Sequence, residues 1–261
     1  MIPYFEQPHL GLGPLTIHAF GVMVALAMII GMRMVRKRAT ADGLDALVAD
    51  RLVTWILVGG FIGAHLVDRL IYFPADTLER PLSLLKFWEG LSSFGGFIGA
   101  IVGALLFFRR VPEAPRWRYL DAVAWGFPFG WIFGRTGCFL AFDHPGAPTH
   151  FFLSQVYRDG VVRHNLGLDE ALYTILIAAV FAILGRVPRR PPGFYVGLLA
   201  VLYAPVRFLF DFLRIVDVRY FGLTPGQWGS LALMAVGVLI MRQAAGRAAR
   251  EESAPPPARR R

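Results

Sequence analysis

Apolar residues in this chain run in long blocks, unlike the two-residue alternation of a half-buried strand or the one-sided stripe of a surface helix. Seven blocks reach or approach the roughly 20 residues that cross a hydrocarbon core as a helix. They cover 14–35, 52–74, 92–109, 119–140, 169–187, 193–213 and 226–243, the third and fifth being short. The polar stretches between them are unevenly charged. "RMVRKR" follows the first block, "RRVPEAPRWR" the third, "GRVPRRPP" the fifth and "RQAAGRAAREESAPPPARRR" the seventh. The alternate loops, 75–91, 141–168 and 214–225, carry fewer basic residues, mixed with acids. Basic loops stay on the cytoplasmic side. The pattern therefore predicts an all-α, multi-pass membrane protein of about seven transmembrane helices, N-terminus out and C-terminus in. Residues 1–245 read as one transmembrane domain, and 246–261 as a disordered basic tail lying on anionic lipid. No Lys or Arg precedes the first block, which argues against a cleaved signal peptide.

Composition supports this class. Of 261 residues 56% are hydrophobic and 17% charged, against about 25% charged in soluble domains. The net charge of +9 is concentrated in short loops between apolar runs, so a nucleic-acid partner is not expected. A single cysteine excludes an internal disulfide, and His and Cys lack the spacing of metal ligands. No nucleotide-binding glycine loop is present, so neither metal nor other cofactor is expected. Glycines recur every four residues at 126, 130 and 134, at 95, 99 and 103, and at 59 and 63. On helices these make smooth stripes that let backbones approach, with a lipid beside the stripe as the less ordinary use.

Charges within spans are costly, and they mark functional candidates. In the predicted topology His65, Arg135, Arg207 and Asp211 all fall in the outer half of the membrane. Arg207 lies about 21 Å along its span, with Asp211 one turn beyond and Tyr203 one turn before it on the same face. Each has a packing reading beside the functional one. Arg207 with Asp211 makes a structural ion pair, Arg135 snorkels, His65 satisfies Asp68, and Cys138 simply packs. Two guanidinium groups at headgroup depth suit a phosphate, because the planar fork offers paired donors. Chemistry alone thus points to an anionic phospholipid. A channel or transporter fits less well, since the charges share one depth.

"LGPLTIHAFGVMVAL", "GGFIGAHLVDRLIYFP", "FWEGLSSFGGFIGAIVGAL", "GRTGCFLAFD" and "YAPVRFLFDFLRIVD…LTPGQWGSLALMAVG" together resemble the prolipoprotein diacylglyceryl transferase family over nearly the whole chain. The resemblance implies a bacterial cytoplasmic-membrane enzyme, monomeric, with its active site facing the periplasm. Its partners would be membrane lipids: phosphatidylglycerol gives its diacylglyceryl group to the lipobox cysteine of a preprolipoprotein, and glycerol 1-phosphate leaves. Arg135, between Gly134 and Gly137, matches the signature arginine, and Arg207 the arginine of a second block that extends through Asp211 to Arg214. Asp143 and Asp211 fall where the family has glutamates, and Tyr203 where it has a tyrosine. Phe94 replaces a histidine, Cys138 an asparagine and Phe20 a tyrosine, while His65 stands where arginine is commoner. His65 or His144 is then expected to supply the base. The alternative is a divergent paralogue that binds phosphatidylglycerol or modifies another acceptor.

Overall fold

A computed structural model describes residues 1–13, 15–86, 90–187, 190–215 and 219–253. Among them are seven long helices: α1 (Ala19–Ala41), α2 (Ala46–Val67), α4 (Ser93–Arg110), α5 (Arg116–Ala141), α6 (Leu166–Leu184), α7 (Phe194–Phe210) and α8 (Pro225–Ser253), with a short α3 (Pro74–Glu79). Each long helix covers one of the seven apolar blocks. By length and composition, five segments can cross a membrane: α1, α2 with the turn that follows it, α6, α7 with its last turn, and α8 to Ala249. The other two long helices are α4, of 18 residues, and α5, whose apolar run is diluted by Trp, Tyr, Pro and Gly. Helix α8 continues to Ser253, past residue 246 where the tail was expected to lose order. "RQAAGRAAREES" is rich in strong helix formers, which explains the extension. Residues 254–261 lie outside the described residues.

Large apolar side chains lie outside as well as in the core, and several polar ones are fully buried. His65, Gln155, Gln227, Glu170, Asn165, Thr174, Thr224 and Asp211 are among the largest fully buried side chains, while Ile101, Leu105, Leu176, Ile183 and Leu239 stand exposed. An apolar exterior is the arrangement lipid demands, and polar residues in such a chain belong inside.

Contacts divide the chain into two compact units, Met1–Asp42 with Leu120–Arg261, and Gly43–Tyr119. In the second unit α2 packs on α4 through the glycine stripes. A Cβ on Gly59 would come 2.5 Å from the Gly99 carbonyl oxygen, and one on Gly63 the same distance from that of Gly95, so only glycine allows this approach. Asp45 caps α2, accepting from the Leu47 amide at 2.8 Å. A π-helical turn, Asp68–Tyr72, ends that helix.

In the first unit, Gly126 and Gly130 of α5 meet α1 at Val35 and at Ala27 and Gly31. Gly134, the third of that stripe, has nothing nearer its Cβ position than Trp131 at 3.8 Å. The buried Asp121 of α5 reaches the start of α7 and accepts from the amides of Gly193, Tyr195 and Val196 at 2.7–3.0 Å. A carboxylate there satisfies orphan helix-end donors. Trp125, Phe181 and Tyr195 fill the apolar core beside this cap.

The loop between α5 and α6, within the stretch 141–168 read from the sequence as an outer loop, holds a small antiparallel sheet in the order β3-β5-β4: β3 (Pro145–Pro148), β5 (Val162–Asn165) and β4 (Gln155–Val156). The N-terminal segment joins it, with Ile2 bonded to Ser154 and Val156. A second ladder, β1 (His9–Leu12) on β2 (Leu15–His18), leads into α1. These strands are too short and too rich in glycine and proline to register as alternation in the sequence.

Candidate active site

The site grows from four helices of the first unit. Arg135 lies on the last turns of α5, whose side chain is 9% exposed, and its Nη2 donates to Glu170 of α6 at 2.6 Å. Glu170, 3% exposed, gathers three donors on its two oxygens. Besides Arg135 these are Trp131 Nε1 at 3.1 Å and the Tyr203 hydroxyl of α7. A carboxylate so enclosed is held in place by charge-assisted bonds and tolerates burial because its charge is matched. One turn beyond Tyr203, Arg207 donates to Asp211 at 2.5 Å. The two arginines that the sequence singled out thus sit in two hydrogen-bonded groups, Arg135–Glu170–Tyr203 and Arg207–Asp211–Thr224, one turn of α7 apart.

Asp211 anchors the second group. Fully buried, it accepts from Arg207 and from the Thr224 hydroxyl, with Arg214 Nε at 3.9 Å. Thr224 and Gln227 cap α8 reciprocally: the Thr224 amide donates to Gln227 Oε1 and the Gln227 amide to Thr224 Oγ1, each at 3.0 Å. This is a capping box with Gln in the Glu position. Gly226 is required between them, because a Cβ there would run into the Asp211 carboxylate. The "GQ" motif is thus the floor beneath Asp211.

Asn165 and Gln155 form a separate buried pair on the sheet side. Asn165 caps α6, accepting from the Gly167 and Leu168 amides, and donates to Gln155 at 2.6 Å and to the Phe139 carbonyl at 3.2 Å. Gly167 lies against the backbone of Cys138 and Phe139, where a Cβ would come within 2.6 Å. Past the end of α5, Phe142 turns the chain at φ 57° and packs against Tyr4, Phe5 and Tyr157. The next residues, Asp143 and His144, are paired at 2.5 Å. Within the α5–α6 loop, burial pushes the Tyr157 phenol up to about 12, so it serves as a neutral hydrogen-bond donor, reaching the His164 carbonyl at 3.5 Å.

The remaining expectations fare differently. Gly137 packs on Met23 and Phe20 of α1 at 3.1 and 3.2 Å from its Cβ position, setting the height of the signature turn, while Gly134 faces open space. His65 belongs to the other unit. It is fully buried, with ring nitrogens 3.2 Å from the Leu84 carbonyl and 3.4 Å from that of Gly90, and so ties the segment after α3 to α2. Phe94 is half-exposed and apolar. The sequence also gave no metal-ligand spacing, yet folding brings a ligand atom each of Cys138, Asp143 and His144 within 4.8 Å of one another.

Glu170 escaped the sequence reading. It stands next to Asp169 in "LGLDEALYT", where both look like first-turn acids. Residues one apart on a helix point about 100° apart. Asp169 turns to His164 at 3.1 Å, and Glu170 turns inward to Arg135. The available signal was two acids opening a predicted span that needs only one.

A family model described as "Prolipoprotein diacylglyceryl transferase" matches residues 8–242. Among curated relatives, proteins named phosphatidylglycerol–prolipoprotein diacylglyceryl transferase are similar along almost their full length. That of Nitratidesulfovibrio vulgaris is 34% identical over 258 residues, 94% of this chain and 96% of the relative. That of Polynucleobacter asymbioticus is 32% identical, covering 92% and 97%, and that of Tolumonas auensis 30%, covering 92% and 95%. By this match along the chain, the protein belongs to the prolipoprotein diacylglyceryl transferase family.

Proposed function

We propose that this protein transfers the diacylglyceryl group of phosphatidylglycerol to the lipobox cysteine of a preprolipoprotein and releases glycerol 1-phosphate. The observation that carries this reading is the state of Arg135. Its guanidinium is buried, its Nη2 is engaged by Glu170 and its Nη1 lies 3.6 Å from Cys138 Sγ, yet its Nε has no hydrogen-bond partner. A buried unpaired donor costs about 1–3 kcal/mol and calls for an acceptor. A phosphate oxygen fits, with Arg207, whose side chain is partly accessible at 22%, as the second arm of the clamp.

In the reaction the acceptor's S–H gives up its proton, the sulfur forms a bond to the glyceryl carbon, and that carbon's bond to the phosphate oxygen breaks. The electron pair leaves with the phosphate. Arg135 and Arg207, fixed by Glu170 and Asp211 before substrate arrives, stabilise the charge that develops there. Tyr203, one turn before Arg207, helps to fix Glu170. Gly134 leaves room against α5 for lipid, and Gly137 sets the approach of α1. Arg214 adds positive charge beside Asp211. Asp143 and His144, paired near Cys138, take the thiol proton, whereas both nitrogens of His65 already face carbonyl oxygens. The enzyme works as a monomer in the bacterial cytoplasmic membrane, N-terminus out, with this site on the periplasmic side, as the basic loops support.

The test is expression in bacteria depleted of their own diacylglyceryl transferase. Prolipoproteins should mature with the wild-type chain and fail to mature with Arg135→Ala or Arg207→Ala present at normal levels. The apolar Phe94 favours a second reading, a family member that binds phosphatidylglycerol and modifies another acceptor. Normal expression without maturation would support it.

A further inference from the structure

Two residues other than glycine take a positive φ among the described residues, and both are phenylalanines. Phe142 is sustained by Tyr4, Phe5 and Tyr157. Phe221, at φ 52°, is 98% exposed, more than any other large apolar side chain described. With Gly222 at φ 82° it forms a tight turn. Tyr220 and Leu223 close that turn, each amide donating to the other's carbonyl, at 2.8 and 3.1 Å. Two left-handed central residues mark a type I′ turn, which favours Asn or Gly at the first of them over a bulky ring. Backbone strain persists where the surroundings impose it, and around Phe221 the surroundings are not protein.

The place of the turn says what they are. It joins two segments that can cross a membrane, Phe194–Leu213 and Pro225–Ala249. Phe221 precedes Pro225 by four residues, so at most about 14 Å of extended chain separates it from the start of α8. A ring so close to the end of a span, and uncovered by protein, meets the boundary between headgroups and acyl chains. Tyr220 and Trp228 beside it are 57% and 45% exposed, and the Trp228 indole donates to the Tyr220 carbonyl at 3.0 Å. Aromatic side chains collect at that depth.

We propose that the Tyr220–Leu223 turn is an interfacial anchor, which sets the Phe221 ring into the phospholipid leaflet and seats the adjoining ends of α7 and α8 at a fixed depth. The depth matters because the turn leads directly into the candidate site. Thr224, the next residue, donates to Asp211, and Asp211 holds Arg207. Gln227 locks Thr224 through the cap of α8. Without the ring in lipid, α8 is free to shift along the membrane normal and to carry Asp211 with it. The anchor itself requires no particular activity, while its effect on turnover rests on the transferase reading.

The test places the full chain in vesicles of phosphatidylethanolamine and phosphatidylglycerol. A bimane label on Phe221→Cys reports the tip of the turn, since the native thiol, Cys138, is buried. Expected is strong quenching by lipid spin-labelled near its glycerol, and little by aqueous iodide. Strong quenching by iodide alone puts the tip in water and overturns the inference. Shielding from both quenchers means that protein covers the ring, a second copy or an acceptor, and overturns it equally. Phe221→Asn should fold normally, because asparagine accepts the left-handed region. In vesicles it should nevertheless form thioether at least about fivefold more slowly than wild type, through the misplaced clamp. Phe221→Leu, which keeps an apolar tip, should recover most of that loss. Turnover of Phe221→Asn at the wild-type rate sinks the inference and leaves the transferase reading standing. Lipid quenching at position 221 in a chain whose wild type forms no thioether supports the anchor and sinks that reading instead.

Discussion

Removing either partner of the Arg135–Glu170 pair should harm the protein more than removing both. The two side chains are 9% and 3% exposed and meet at 2.6 Å, so each charge depends on the other for its only strong compensation. Glu170→Gln places an amide among three donors, Arg135, Trp131 and Tyr203, and leaves the guanidinium uncompensated. Arg135→Gln leaves the carboxylate in the same state. Breaking a buried pair in this way costs about 3–5 kcal/mol, whereas neutral replacement of both partners is often close to neutral. At about 2–4 °C per kcal/mol for a chain of this size, each single variant should melt roughly 6–20 °C below wild type. The double variant should recover most of that loss. Tryptophan fluorescence on heating in detergent reads the transition, and Trp131 reports from within the network. All three variants should lose transferase activity, since the clamp needs Arg135 and its orientation. A double variant that melts as low as the two single losses added together would refute the argument, because it would mean the pair does not carry its own compensation.

Gly226→Ala would drive a methyl into the Asp211 carboxylate, with Cγ at 3.1 Å and Oδ1 at 3.3 Å from the new Cβ. Overpacking of about 1–3 kcal/mol should displace Arg207 and lower kcat by more than about tenfold, read with a lipobox peptide, while Gly229→Ala, which meets nothing within 4 Å, should act like wild type. His65→Ala should lower the melting temperature through loss of its two carbonyl contacts, about 1–3 kcal/mol, and leave turnover per folded molecule within about threefold; loss of all turnover with normal folding would restore His65 as a reacting group. Gly99→Val should abolish the close packing of α2 on α4 and cut the yield of folded protein in membranes, whereas Gly43→Asn, at a left-handed turn with open space around it, should be tolerated.

The elements were legible because lipid enforces them. A backbone without water must form helices about as long as the bilayer is thick, so composition alone locates all seven long ones. The site was half legible for a related reason. Arg135, Arg207 and Asp211 stand out because a charge in an apolar run has no bland explanation. Partners at helix ends do have one. Glu170 and Thr224 look like ordinary capping residues in the sequence, and Asn165 is one, bonded besides to Gln155. At α8 the capping residue also serves the candidate site: Thr224, which satisfies the helix start with Gln227, bonds the Asp211 carboxylate that pairs with Arg207. The Cys138, Asp143 and His144 cluster was illegible for another cause. It depends on Phe142 adopting a positive φ that phenylalanine disfavours, and what sustains that turn is packing against Tyr4 and Phe5, far away in sequence. Local preference at Phe142 points away from the fold, and distant aromatic contacts override it. Strain of this kind persists only where the surroundings insist on it, and here it sets Asp143 and His144 down beside the one thiol of the chain.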